Sequence, residues 1–276
     1  MTIHPPSALR DRALAGLPLG RYVGAPVVDA HCHLGSGGRF VQPLSAAGDL
    51  VRTMDRIGIE QACVFPTLAI TLDMLGGNGM ALEAAAEFPE RLLAYISVDP
   101  HRPVAAIQDE LRRCFDAGAR GIKLHTQLAN YPFDGSNYRP AFAFAHEHRL
   151  PLISHGIGSP DTLRGVARRY PDAHFIVAHA GASGPPAGAA GASTGLHAVA
   201  REEPNVYLDL ASSVGRFGSF VASVQAAGAG KHVFGSDTPW MCQSHQIGRV
   251  LLAPLPEEDK RRILGGTMAA LLGTRR

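Results

Sequence analysis

Paired cysteines are missing from this chain. Its four cysteines, Cys32, Cys63, Cys114 and Cys242, lie far apart with no CxxC pair. That spacing argues against a disulfide frame or a zinc knuckle, and for reduced thiols in a cytoplasmic protein. Charge is scarce as well. Only 18% of residues are Asp, Glu, Lys or Arg, the formal net charge is +2, and no Lys/Arg run forms a stripe. Nucleic acid and anionic membrane are therefore poor partners, and a small molecule is the expected one. Residues 1–20 lack the long apolar core of a leader peptide, and no segment approaches a membrane span. No glycine-rich GxGxxG follows the first apolar run, which argues against a dinucleotide site.

Apolar material is plentiful. At 46% hydrophobic over 276 residues, the chain can bury a sizeable core. Short apolar runs alternate with helix-like stretches along its whole length. The strand candidates are residues 27–34, 61–67, 92–98, 121–126, 151–156, 174–180, 206–211 and 232–237. Amphipathic stretches separate them at 46–57, 78–88, 104–117, 138–148, 161–170, 194–202 and 216–227, and a helical pair closes the chain at 244–252 and 256–272. Strands joined by helices imply parallel pairing and crossover connections. Eight such units predict a single-domain α/β fold, a (β/α)8 TIM barrel over residues 27–276 with an N-terminal extension over 1–26. An open doubly wound sheet is the competing architecture. Assembly into a homo-oligomer stays open. One low-complexity stretch, Gly181–Gly195, is rich in the two residues that break regular structure. It follows the sixth strand, and reads either as a flexible insert or as a lid.

The first strand ends in His31-Cys32-His33. Side chains alternate along a strand, so both imidazoles project to one face while Cys32 and Leu34 take the other. Two such imidazoles make half of a metal site. Further strands also end on ionisable residues. The fourth carries Lys123 and His125, the fifth ends on His155, the sixth on His179 in phase with Phe175 and Val177, and the eighth on Asp237. Parallel barrel strands deliver their C-terminal ends to one mouth, where these groups would converge. A charged residue ending an apolar strand is costly without a partner, so the whole set is hard to explain as packing.

The ordered motifs VVDAHCH, GIKLH, ISHG, VAHAG and FGSD, with the tail Ile263–Leu272, resemble the amidohydrolase superfamily, in its amidohydrolase-related branch of metal-dependent hydrolases and nonoxidative decarboxylases. The likeness runs from Val27 onward and departs at Thr267, where the family commonly has asparagine. It implies that His31, His33, His155 and Asp237 bind a divalent cation (zinc, iron or manganese, one or two per chain). It implies that His179 is either a second-metal ligand or a water-orienting group. Lys123 stands where binuclear members carry a carboxylated lysine; unmodified, it is a cation for substrate or another anion. The expected activity is hydrolysis of an amide, lactone, ester or thioester, with Asp237 as proton acceptor and His179 assisting. The alternative is nonoxidative decarboxylation of an aromatic or related acid.

Other residues enter as substrate contacts. His125 faces inward above Lys123, Arg39 lies in the first strand-to-helix loop where it could grip a carboxylate, and Trp240, Tyr131 and Asn137 occupy loops of the same mouth. His245 is expected to start a helix. His101, His146, His148, His174, His197 and His232 fall where surface roles are expected, and Cys32 is expected to pack in the core.

Overall fold

The computed structural model describes residues 26–36, 42, 44–180, 192–211 and 218–273, with the backbone only for 192–194. Eight parallel strands form one sheet in sequential order: β1 (Val28–Leu34), β2 (Gln61–Pro66), β3 (Leu92–Ser97), β4 (Gly121–His125), β5 (Pro151–His155), β6 (His174–Val177), β7 (Val206–Asp209) and β8 (His232–Val233). The ring closes through backbone bonds. Ala30 N–H donates to Phe234 O (2.8 Å), Asp237 N–H to His31 O (2.8 Å) and His33 N–H to Thr238 O (2.6 Å). The fold is therefore the expected (β/α)8 barrel, and the open sheet is set aside.

Helices follow the strands in alternation: α1 (Ala47–Ile57), α2 (Thr67–Thr71), α3 (Met74–Glu87), α4 (Val104–Asp116), α5 (Arg139–Glu147), α6 (Pro160–Arg169), α7 (Ala192–Glu202), α8 (Ser219–Ala227), α9 (Gln243–Leu251), α10 (Glu257–Arg261) and α11 (Thr267–Leu271). Their ends obey local chemistry. Gly58 stops α1 in the left-handed conformation, φ 78°, with its N–H on Met54 O. Ser159 caps α6 by accepting the Thr162 N–H (3.1 Å), and Pro160 starts the helix. Asp73 caps α3 through the Gly76 N–H (3.0 Å).

Two apolar layers follow from the alternation. Val28, Ala30, Cys63, Phe65, Tyr95, Ile153, Ile176 and Val233 fill the barrel interior, joined by Met268, Leu271 and Leu272 from the chain's end. The opposite strand faces, including Ile122, Leu124, Leu152, Phe175 and Val177, pack against the surrounding helices. Cys32 belongs to an outer cluster with Leu34, Met54 and Phe234, as its phase predicts.

Several details differ from the sequence reading. The strands stop earlier, most of all β6 and β8, because their last residues leave the ladder to build the mouth of the barrel. The short helix α2 directly after β2 was not anticipated. Helix α7 starts at Ala192, inside the low-complexity stretch, whose residues 181–191 lie outside the described residues together with the N-terminal extension up to residue 25. The closing helix is interrupted by a π-turn at Arg262–Gly266. His197 and His232, expected at the surface, are buried at 2% and 0% exposure. A Ser223 hydroxyl between them takes up both Nε2 atoms, each at 2.7 Å. Among the described residues no helix is long and apolar enough to cross a membrane.

Candidate metal centre

Strict alternation would not carry both halves of β1 into the barrel. Val28 and Ala30 already face the interior, and the next inward position would be Cys32. A register shift between Asp29 and Cys32 resets the phase, so that His31 and His33 point inward and Cys32 outward. His31 is 1% exposed and His33 7%. Asp29 holds the shifted segment in place. Its carboxylate accepts N–H groups from His31 (3.1 Å), Ser236 (2.9 Å) and the Gln243 side chain (2.9 Å), tying β1 to the segment after β8. Burial pushes its carboxyl up to about 6 against those donors.

His179 and Asp237 arrive by another device. By period, His179 would follow Phe175 and Val177 onto the helix-facing side. Instead its backbone turns left-handed, φ 64°, as does that of Asp237, φ 63°. Non-glycine residues pay conformational energy there, and such strain gathers at functional sites. The turn at His179 presents its N–H to Asp209 Oδ2 (3.2 Å) and its Nδ1 to Ala211 O (2.7 Å). A carbonyl can only accept, so Nδ1 carries the proton and Nε2 keeps its lone pair.

Asp209, at the end of β7, was not singled out from the sequence, although it shares the phase of Tyr207 and ends an apolar strand as the other site residues do. It is fully buried and receives three N–H groups: His31 Nδ1 (2.7 Å), His179 N (3.2 Å) and Ala211 N (3.0 Å). Gly235 makes room for it, since a Cβ there would overlap the Asp209 carboxylate and the His31 Cβ. The bond from His31 fixes that ring's proton on Nδ1 and frees Nε2, the arrangement by which a carboxylate orients a metal-binding imidazole.

The donor atoms then converge. Asp237 Oδ1 lies 3.3 Å from both His31 Nε2 and His33 Nε2. Atoms of His31, His33 and Asp237 form one group within 4.8 Å, and those of His31, His179 and Asp209 a second. His155 lies outside both groups, with its ring 4.7 Å from that of His179 and 4.2 Å from that of His125. Lys123 Nζ is 3.2 Å from His31 Nε2 and 4.2 Å from the centre of the Phe65 ring. Trp240 meets His33 edge to face at 6.2 Å. Arg39 lies outside the described residues.

Electrostatics suit a cation. Burial, then the Lys123 charge, lowers His31 well below the usual imidazole range, and burial also lowers His33. Burial and His179 bring His155 to about 4, while burial and His155 bring His125 to about 3. These rings are neutral at pH 7 and offer lone pairs. Burial alone would raise the Asp237 carboxyl, but the His33 hydrogen bond holds it well below the carboxylate range. Burial brings Lys123 to about 8, and Asp237 and Asp209 oppose the shift. With its proton held on Nδ1 by Asp209, His31 Nε2 turns its lone pair towards Lys123 Nζ (3.2 Å) and the ionised Asp237 Oδ1 (3.3 Å). A divalent cation between His31 Nε2, His33 Nε2 and Asp237 fits that facing set of donors.

A cavity of about 370 Å³ adjoins this centre, reaching Lys123 and His125 and passing between α2 and the segments after β3 and β4. His101, exposed as expected, also lines it, with Nε2 2.7 Å from Ala129 O.

Comparison with known proteins agrees with this architecture. The sequence model of the amidohydrolase family matches residues 28–274. No curated protein matches the chain. Among solved structures it is similar to 2,6-dihydroxybenzoate decarboxylase from Rhizobium, with TM-score 0.69 and 17% identity over 91% of this chain and 98% of that one. It is similar to 5-carboxyvanillate decarboxylase from Novosphingobium aromaticivorans, complexed with manganese and a nitrobenzoic acid, with TM-score 0.72 and 13% identity over 92% and 97%. An uncharacterized TIM-barrel protein from Bordetella bronchiseptica gives TM-score 0.71 and 16% identity over 90% and 98%.

Proposed function

This chain belongs to the amidohydrolase family, and on that premise we propose that it is a metal-dependent lyase that removes carbon dioxide from a small aromatic or related carboxylic acid. The observation that carries the reading is the juxtaposition of the His31, His33 and Asp237 donors with a cavity whose inner wall holds a buried cation, Lys123. An anionic substrate of benzoate size has both its counter-charge and its space there. The decarboxylases named above share the fold and lend support as analogy.

A divalent cation held by His31, His33 and Asp237, with His155 and His179 beside them, would supply Lewis-acid charge to orient and polarise a substrate oxyanion. The chain's own groups account for the proton. Loss of carbon dioxide leaves the electron pair of the broken bond on the vacated carbon, which must gain one proton. Asp237, held ionised, takes a proton from an acidic hydroxyl or from solvent and returns it to that carbon. His179 Nε2, with its tautomer fixed by Ala211, accepts a hydrogen bond from a substrate hydroxyl. Lys123 balances the substrate's charge, and Phe65 keeps water from that side of the ammonium group.

A second reading, hydrolysis, is favoured by one observation: Lys123 sits 3.2 Å from His31, where a carboxylated lysine would offer a cation further oxygen donors. One experiment separates the two. Protein supplied with manganese or zinc is incubated with substituted benzoic acids, esters and lactones in deuterium oxide enriched in heavy oxygen. A lyase releases carbon dioxide and leaves deuterium on the vacated carbon. Heavy oxygen in a new carboxyl group, without carbon dioxide, would replace the lyase reading with hydrolysis.

A further inference from the structure

The cavity beside the metal centre is lined by two hydroxyls, and the fold leaves one of them buried without a partner. Ser97, the last residue of β3, is 2% exposed and lines the cavity, and its Oγ has no hydrogen bond. Tyr138 is 1% exposed and lines the same cavity. Both residues are held rigidly. The Asn78 side chain grips the Ser97 backbone twice, accepting its N–H (2.8 Å) and donating to its carbonyl (3.0 Å). Glu110 in turn accepts from Asn78 at 2.8 Å. The Tyr138 ring stands edge-on to Tyr131 at 5.3 Å and packs 6.3 Å from Phe142.

A buried hydroxyl without a partner is destabilising, and each such group calls for an explanation. Here the Ser97 hydroxyl is that group, and it shares its cavity with three more donors, Tyr138 among them. Lys123 is paired with Ser97 in the β3–β4 register, on the same inward face. His125 accepts the Leu128 N–H at Nδ1 (3.2 Å), which places the proton of the neutral ring on Nε2. Burial and the Asp99 carboxylate push the Tyr138 hydroxyl up, so that it remains a donor. Four donors, one of them a cation, suit an oxyanion with several lone pairs.

We propose that Ser97, Tyr138, Lys123 and His125 form a subsite for a second, non-reacting carboxylate, so that the substrate is a dicarboxylic acid. This inference rests on the reading of the site as one that acts on a carboxylic acid, and it narrows the substrate class. The second carboxylate anchors the molecule while the first meets the metal centre, an arrangement in which remote binding orients the reacting group.

Calorimetric titration of the full-length protein with isophthalate and with benzoate tests the subsite. Isophthalate should bind at least about tenfold more tightly. Ser97→Ala and Tyr138→Phe should each cut that preference about fivefold or more. The Ser97 hydroxyl has no protein partner to lose, so Ser97→Ala should keep or raise Tm. A fall of several degrees would assign that hydroxyl to folding and remove it from the subsite. Equal affinity for the two acids, or a preference that neither substitution touches, overturns the proposal. Preference for isophthalate without turnover of any acid would sink the lyase reading and leave the subsite standing. Turnover of monocarboxylic acids with no such preference would do the reverse.

Discussion

The two flanks of the barrel mouth are built differently. On the flank formed by β1, β7 and β8, the site groups are backed by a second set of buried polar atoms. Asp209 fixes His31, Asp29 fixes the shifted segment of β1, and the Asp237 N–H bonds to His31 O. On the flank of β4 and β5, His125 and His155 lean on each other at 4.2 Å. His125 receives one backbone N–H, and the His155 ring has no hydrogen-bond partner among the described residues. The first flank therefore sets tautomers and donor positions before anything binds, which suits a metal centre. The second leaves donors and rings facing open space, which suits a substrate that brings its own acceptors.

Substitutions can break this contrast. The largest effect is expected on the backed flank. Asp237→Asn should lower release of carbon dioxide from an accepted acid by about a thousandfold or more, with an unchanged circular dichroism spectrum. A loss smaller than tenfold would mean that the site lies elsewhere. Next in size, Asp209→Asn should weaken metal affinity by roughly 10–100-fold, read by competition with a chelator, because the His31 tautomer is no longer enforced. On the open flank, His125→Gln should raise KM by about tenfold or less while sparing kcat. A large fall in kcat would erase the distinction between the flanks.

The smallest expected effect is on stability in acid. His125, His155 and His232 have folded-state values of about 3, 4 and 4, below the ordinary value of 6.5. Between these limits the unfolded chain binds protons that the folded one refuses. Tm of metal-free protein should therefore decline as pH falls from about 6.5 towards 4. A flat profile over that window would show that these rings are protonated in the folded state.

Much of this mouth was legible in the residues. Eight apolar runs with helices between them predict the barrel, and polar residues ending those runs mark its open end. Period-two reasoning suffices for Lys123, His125 and His155, because β4 and β5 are regular to their tips. It fails for His179, which a left-handed turn swings in from the outward phase, and it does not foresee the register shift that admits both His31 and His33. Those are backbone irregularities, and single-sequence periodicity assumes there are none. Asp209 was readable by the same rule as Asp237, because it ends an apolar strand. Ser97 was not, since nothing in Tyr95-Ile96-Ser97 distinguishes a hydroxyl with a partner from one without. His232 lies at the start of a strand, a position that carries no burial signal until α8 is packed against it.

The most direct test is a calorimetric titration of metal-free protein with manganese, run beside the His33→Ala/Asp237→Asn double variant. Wild type should take up at least one ion per chain, and the folded double variant should take up none. Equal uptake by both would contradict the account.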